Sequence, residues 1–163
     1  MMDVKDFRDL IIKPTLDELA KAEPRINSDA AVALLLGTAL CESELKFLRQ
    51  RVDGGFGVAV SLYQIEPATH KDVKRYLGER KPNLAKRVFG LSTVIDPDDF
   101  ELATNFRYAT AIARIKYWMD PESLPLADNI RGLAGYYKRV FNTELGKGTA
   151  KKFLEFYHQY GKA

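Results

Sequence analysis

The spacing of apolar residues predicts helices of two kinds in the first third of the chain. In residues 4–22 apolar side chains recur every three to four positions, which predicts an amphipathic helix with one buried face. Pro14 lies inside this segment and predicts a kink or a break into two short helices. Residues 30–41 are apolar on every side, so they predict a helix buried in the core, with capping residues at 27–29.

The rest of the chain also favours helices, apart from one ambiguous segment. Glycines at 54, 55 and 57 indicate a turn or flexible loop, and the composition of residues 58–65 fits either a short strand or a compact loop. No repeat or linker divides the sequence, which predicts one domain over residues 1–163 with an all-α fold. The remaining helices are expected at 66–89 with a break at Lys81-Pro82, at 100–119 as the longest uninterrupted helix, and at 128–141 and 149–160, with 142–148 between them.

The composition and charge of the chain argue against several classes of function. A net charge of +3 permits attraction to an anionic polymer but does not indicate a nucleic-acid-binding protein. The one cysteine, Cys41, excludes an internal disulfide, and two histidines without a Cys/His spacing suggest neither a metal site nor a cofactor. The N-terminal residues lack the apolar stretch of a secretory signal, and the apolar helix is too short to span a membrane.

A carboxylate, Glu42, follows the apolar helix. If the helix continues, Glu42 projects from the same face as Thr38 and Ala39. A carboxylate there is costly unless its pKa rises or it faces a cleft, and that is the environment of a general acid. The alternative is an exposed ion pair with Lys46, four residues later.

Cys41 with His70 suggests a second type of catalysis, that of a cysteine peptidase. The position of Cys41 late in an apolar helix opposes it, because a thiolate gains nothing from the helix dipole there. No third residue that would orient the histidine is marked by the sequence.

Three motifs occur in an order that resembles the lysozyme-like lytic transglycosylase family. That family carries Glu-Ser at the end of a buried helix, then G-L-M-Q-I-x-P-x-T, and later A-Y-N-x-G. This chain has Glu42-Ser43, then S-L-Y-Q-I-E-P-A-T at residues 61–69, and A-G-Y-Y-K at 134–138. Residues 137–149 look like those of bacteriophage-encoded members, and the resemblance covers roughly residues 34–149.

The resemblance implies a lysozyme-like fold with a short loop or hairpin segment after the core helix. It implies cleavage of the β-1,4 bond between N-acetylmuramic acid and N-acetylglucosamine in peptidoglycan, with Glu42 as the single general acid and base. Tyr136 would lie near Glu42 and hydrogen-bond it. Ser61 replaces the family's glycine and Tyr137 its asparagine. The implied substrate-binding residues are Ser43, Ser61, Tyr63, Gln64, Glu66, Thr69, Tyr136 and Tyr137.

Several of these residues also have ordinary structural interpretations. Gln64 either contacts the glycan or closes a turn, and Thr69 is a helix cap in preference to a ligand. Tyr63, Tyr108, Tyr117 and Tyr136 either line a saccharide groove or pack in the core. A hydrolytic mechanism would need a second carboxylate or a positioned water, and its candidates are Glu44, Asp53 and Glu66.

The resemblance leaves two functions open. One is a phage-type transglycosylase or muramidase, and the other is a non-catalytic virion or cell-wall-binding protein that retains the fold. The expected partners are the peptidoglycan glycan strand and, secondarily, other virion proteins. The expected location is the phage virion or the host cytoplasm, with the host cell wall as target, either during penetration or at release.

Overall fold

The structure is built mainly of helices and contains one β-hairpin. The computed structural model describes residues 1–142 and 148–162. The described elements are α1 (Val4–Asp6), α2 (Lys13–Ala20), α3 (Asp29–Ser43), β1 (Arg49–Val52), β2 (Gly55–Val60), α4 (Pro67–Arg80), α5 (Pro82–Phe89), α6 (Asp99–Thr104), α7 (Phe106–Trp118), α8 (Ile130–Val140) and α9 (Ala150–Phe156), with π-helical segments at Phe7–Ile12 and Tyr157–Gly161 and a 3₁₀ turn at Pro24–Ile26.

Helix α3 is a buried helix at the centre of the contacts made by the C-terminal helices. All of residues 33–41 are buried, and α3 contacts α7, α8 and α9. Ser28 caps its N-terminus, since its Oγ accepts a hydrogen bond from the Ala31 amide at 3.1 Å. Gly37 lets α9 approach closely, because a β-carbon there would collide with the Phe153 ring. The prediction of a core helix is confirmed.

The N-terminal helical segment changes its hydrogen-bond spacing before Pro14. Residues 7–12 are π-helical, and the Lys13 amide donates to the Arg8 carbonyl, five residues back. Pro14 then lies in the first turn of α2, directly after this π-helical segment, and has no N–H to donate to it. The π-helical segment stands where a kink or break was expected.

The prediction of an all-α fold is wrong, because β1 and β2 form a two-stranded antiparallel sheet. Arg51 pairs with Phe56 and Val52 with Gly55, and the turn between them uses Gly54 in a left-handed conformation (φ +80°). The strands have few buried side chains, so the alternating pattern that marks a half-buried strand is weak in the sequence.

The prediction of one uninterrupted helix over 100–119 is also wrong, because Asn105 separates two helices there, α6 and α7. The Asn105 side chain accepts a hydrogen bond from the Tyr108 amide at 3.0 Å and so caps α7. Its amide donates to Glu101 and to the Leu91 carbonyl, both at 2.8 Å. These three bonds hold the backbone of Asn105 in an extended conformation that ends α6.

The other helix predictions are confirmed. A break at Lys81-Pro82 separates α4 from α5, and α8 and α9 lie within the expected ranges. Of the segment predicted to separate those last two helices, residues 143–147 lie outside the described residues. Within the described ranges, no helix has both the length and the apolar character needed to cross a membrane.

Candidate active site

Glu42 lies in the last turn of α3, in the wall of a cleft of about 650 Å³. The cleft is bordered by the β-hairpin and the start of α4 on one side. Asn142, Gly148 and Lys152 border it on the other. Its volume is within the range of small-molecule binding sites, so Glu42 is the acid of a cleft large enough for a ligand.

Two side chains hold the Glu42 carboxyl group through the same oxygen. The Tyr137 hydroxyl donates to Oε1 at 2.6 Å, and the Asn142 amide donates to it at 3.1 Å. Burial raises the pKa of Glu42 above its ordinary value, while these hydrogen bonds and the charge of Lys152 oppose the rise. The group combines a raised pKa with contact to an open cleft, as a general acid requires.

The alternative ion pair between Glu42 and Lys46 is not formed. Lys46 binds Glu44 at 2.9 Å, because α3 ends at Ser43 and the chain turns away. Glu44 lies at the edge of the cleft with this cation beside it. The two neighbouring acids therefore occupy different electrostatic environments.

Tyr137, and not Tyr136, contacts the acid. The Tyr136 hydroxyl donates to Asp120 at 3.3 Å and to the Glu122 carbonyl at 3.2 Å, on another side of α8. Successive helix residues point about 100° apart, so only one tyrosine of the pair can reach Glu42. Burial raises the pKa of Tyr137, which keeps its hydroxyl a proton donor to the carboxylate. The contact expected of Tyr136 is thus made by Tyr137.

The thiol of Cys41 belongs to the same cluster but is not activated. Its Sγ donates to the Tyr137 hydroxyl at 3.4 Å, and burial raises its pKa. His70 is occupied elsewhere, with Nδ1 at 3.0 Å from Asp99 and Nε2 at 2.8 Å from the Tyr108 hydroxyl. The arrangement therefore opposes a cysteine peptidase.

The second motif forms a turn that is tied to the end of α3. The Ser43 hydroxyl donates to the Leu62 carbonyl at 2.7 Å, which fixes the turn beside Glu42. Ser61 is buried and has a φ of +74°. Glycine adopts this left-handed conformation most readily, and the lytic transglycosylase family has glycine at this position. Gln64 closes the turn by donating to the Ser61 carbonyl at 2.8 Å, and it also lines the cleft. Ser61 therefore has a backbone role and no contact with the cleft.

The tyrosines considered for a saccharide groove are core residues. Tyr63 is buried and its hydroxyl shares a hydrogen bond of 3.1 Å with Thr110. Tyr108, Tyr117 and Tyr136 are buried as well, and none of the four lines the cleft. Core packing thus accounts for all of them.

Glu66 and Thr69 do line the cleft, at the start of α4. Glu66 occupies the N-cap position without a side-chain capping bond, and Thr69 lies in the first turn and is not the cap. Of the three candidates for a second carboxylate, Glu44 and Glu66 border the cleft, and Asp53 does not.

Two residues of the site carried no signal in the sequence. Asn142 reaches Glu42 across 100 positions, and only the folded chain brings them together. Gly148 lies against the same cluster, because a β-carbon there would collide with the Tyr137 hydroxyl and the Asn142 amide. A polar residue two positions after α8 is otherwise indistinguishable from a residue that ends a helix.

The chain matches no protein-family profile, no curated protein and no solved structure. Its described part contains no group of three His, Cys, Asp or Glu side chains placed to hold a metal ion.

Proposed function

We propose that this protein cleaves the β-1,4 glycosidic bond between N-acetylmuramic acid and N-acetylglucosamine in peptidoglycan, with Glu42 as the general acid and base. The observation that carries the proposal is a half-buried carboxyl group of raised pKa in the wall of an open cleft. The motif order of the lytic transglycosylase family supports it independently. That motif order indicates that the substrate is the glycan strand of peptidoglycan.

The hydrogen bonds of Glu42 suggest how the proton is presented. Tyr137 and Asn142 both donate to Oε1, and no hydrogen bond within the described residues engages Oε2. The neutral acid therefore carries its proton on Oε2, from where it passes to the glycosidic oxygen. After the bond breaks, the carboxylate takes a proton from the nucleophile, and the same two donors stabilise its charge.

The nucleophile in the second step decides between two products. If the C6 hydroxyl of the muramic acid attacks, an anhydro ring closes and no second carboxylate is needed. If water attacks, Glu44 or Glu66 is the available carboxylate at the cleft. The pairing of Glu44 with Lys46 leaves Glu66 as the better placed of the two.

The proposal places the protein's action at a bacterial cell wall. Its partner is the glycan strand, and the resemblance to phage-encoded enzymes makes other virion proteins a second class of partner. Synthesis in the host cytoplasm followed by release, or packaging in the virion, would both bring it to the wall.

Clearing of a suspension of purified cell walls tests the proposal. Wild-type protein should clear it, and Glu42→Gln should lose at least about 100-fold in rate, since a general acid contributes about 10²–10⁴-fold. Glu155→Gln is the matched control, because it removes the charge of an exposed acid that is paired with Lys151 and does not line the cleft. Equal rates for wild type and Glu42→Gln would refute the assignment.

Mass spectrometry of the released fragments identifies the nucleophile. Anhydro-muramic ends indicate a transglycosylase, and reducing ends indicate a hydrolase. Wild-type protein that binds walls without releasing any fragment would show the non-catalytic wall-binding protein instead.

A further inference from the structure

The β-hairpin places two arginines at one end of the cleft that contains Glu42. Arg49 and Arg51 both line it, together with Phe47. Both guanidinium groups lie over the ring of Phe56, with the Cζ atoms 4.6 and 4.9 Å from its centroid, and Arg51 also lies 5.0 Å from that of Phe47. Two cations therefore share the same aromatic ring.

These arginines have no acidic partner among the residues that the structure describes, since neither takes part in an ion pair there. Both side chains are exposed, and Phe56 is 53% exposed beneath them. The Phe56 ring serves as the platform for the two cations. The hairpin thus presents positive charge that the described chain does not neutralise.

Stacking determines which chemistry these arginines fit. A guanidinium group is planar and has its N–H bonds in that plane, so that beside an aromatic ring it can still donate in pairs to a planar carboxylate. Two such groups in the same cleft form a site for an acidic ligand. The two arginines therefore fit a ligand that carries a carboxylate.

We propose that Arg49 and Arg51 bind a carboxylate of the peptide stem attached to the muramic acid of the strand. This rests on the proposed function, in which a muramic acid lies at Glu42. The lactyl group of that sugar carries a peptide with free carboxylates. Glu42 and the two arginines line the same cleft, so a stem on a muramic acid at Glu42 would share that cleft with them.

Pelleting with insoluble walls measures the affinity without turnover. In a Glu42→Gln background, Arg49→Gln/Arg51→Gln should bind intact walls about tenfold or more weakly, as expected for lost charge-assisted hydrogen bonds. Walls whose stems have been removed by an amidase should bind both proteins equally. The matched control is Arg80→Gln/Arg131→Gln, which removes the same charge from exposed residues outside the cleft and should bind like the background.

Three results would overturn the proposal. The first is unchanged binding of the Arg49→Gln/Arg51→Gln protein to intact walls. The second is an equal loss on stripped walls. The third is a loss that disappears when phosphate polymers, and not stems, are removed from the walls.

Arg49→Lys/Arg51→Lys keeps the charge but not the planar geometry, and it should also bind more weakly. Binding as tight as that of the background would show that charge alone is recognised, against the proposal. Circular dichroism verifies that each variant is folded. If wild type cleaved no glycan at all, the proposed function would fail, and the pelleting comparison would still decide whether the arginines recognise stems.

Discussion

Replacing Tyr137 by Phe tests whether the hydroxyl group stabilises the charged form of Glu42. The change removes the 2.6 Å hydrogen bond to Oε1 and leaves the buried ring in place. A hydrogen bond to a charged group contributes about 1.5–3 kcal/mol, and one between neutral groups contributes about 0.5–1.5 kcal/mol. The variant should therefore be less stable than wild type at every pH, and more so when Glu42 is ionised.

The difference between these two values sets the size of the pH dependence. The loss of stability should be greater by about 1 kcal/mol when Glu42 is a carboxylate than when it is neutral. Because the variant disfavours the carboxylate further, the pKa of Glu42 should rise above its wild-type value. Any activity that requires the protonated acid should then persist to higher pH.

Urea unfolding from about pH 4 to about pH 9 measures this effect, because the free energy of unfolding can be compared at each pH. Tyr136→Phe is the matched control. Its hydroxyl is also buried and also bonds a carboxylate, Asp120, but the pKa of Asp120 is lowered by Arg139. Asp120 remains ionised over this range, so the cost of the control should not change with pH. A cost of Tyr137→Phe that is equally independent of pH would refute the reasoning.

Three further predictions concern the same cluster. Glu42→Gln should raise the free energy of unfolding at neutral pH by about 1 kcal/mol. The raised pKa means that the folded state holds this proton more tightly than the unfolded state, so wild type loses stability as the pH rises from the ordinary glutamate pKa through the raised one. Urea titrations measure the difference in the free energy of unfolding between Glu42→Gln and wild type at each pH. A difference that is no larger at neutral pH than at acid pH would contradict this prediction. Gly148→Ala should lower thermal stability by about 1–3 kcal/mol, because the new methyl group collides with the Tyr137 hydroxyl, and an unchanged melting temperature would be inconsistent with that packing. Ser43→Ala should cost about 1–3 kcal/mol by removing the donor to the Leu62 carbonyl, whereas calorimetry showing no loss would mean that the turn is held by its other bonds.

The helices could be predicted where capping residues and apolar spacing agree. Ser28 before the apolar run and Pro82 after Lys81 both mark helix boundaries that the structure contains. Asn105 misled the prediction, because it lies between residues with helical spacing and acts through bonds to Glu101 and Leu91, which spacing does not show. An asparagine within a helical pattern can be recognised as a cap only when its hydrogen-bond partners in the folded chain are known.

The resemblance implies a short loop or hairpin segment after the core helix, but the residue pattern alone does not locate its two strands, for a different reason. Its side chains are largely exposed, so burial on one face did not impose the alternation that identifies a strand. Its two arginines lie over aromatic rings and pair with no acid within residues 1–142 and 148–162, an arrangement that net charge does not reveal. The same property that hid the strands also left the arginines available to a ligand.

The position of the acid could be predicted, but its surroundings could not. The end of an apolar helix identified Glu42 from neighbours within one helical turn. Tyr137 and Asn142 are 95 and 100 residues away, and the choice between adjacent tyrosines depends on the rotation of α8 about its axis. The spacing of residues along the chain does not determine how α8 is rotated about its axis.

The backbone after α3 decides which acid Lys46 neutralises. Glu44 and Leu45 both adopt left-handed conformations (φ +53° and +52°), which costs about 1–2 kcal/mol per residue for side chains other than glycine. Had the helix run one turn further, Lys46 would lie four residues beyond Glu42 on the same face, and its charge would favour the ionised acid. The reversal gives that cation to Glu44 instead. The strained backbone at Glu44 and Leu45 thus keeps the charge of Lys46 away from Glu42. A substitution that relaxed this turn would change the pKa of Glu42 without contacting its side chain.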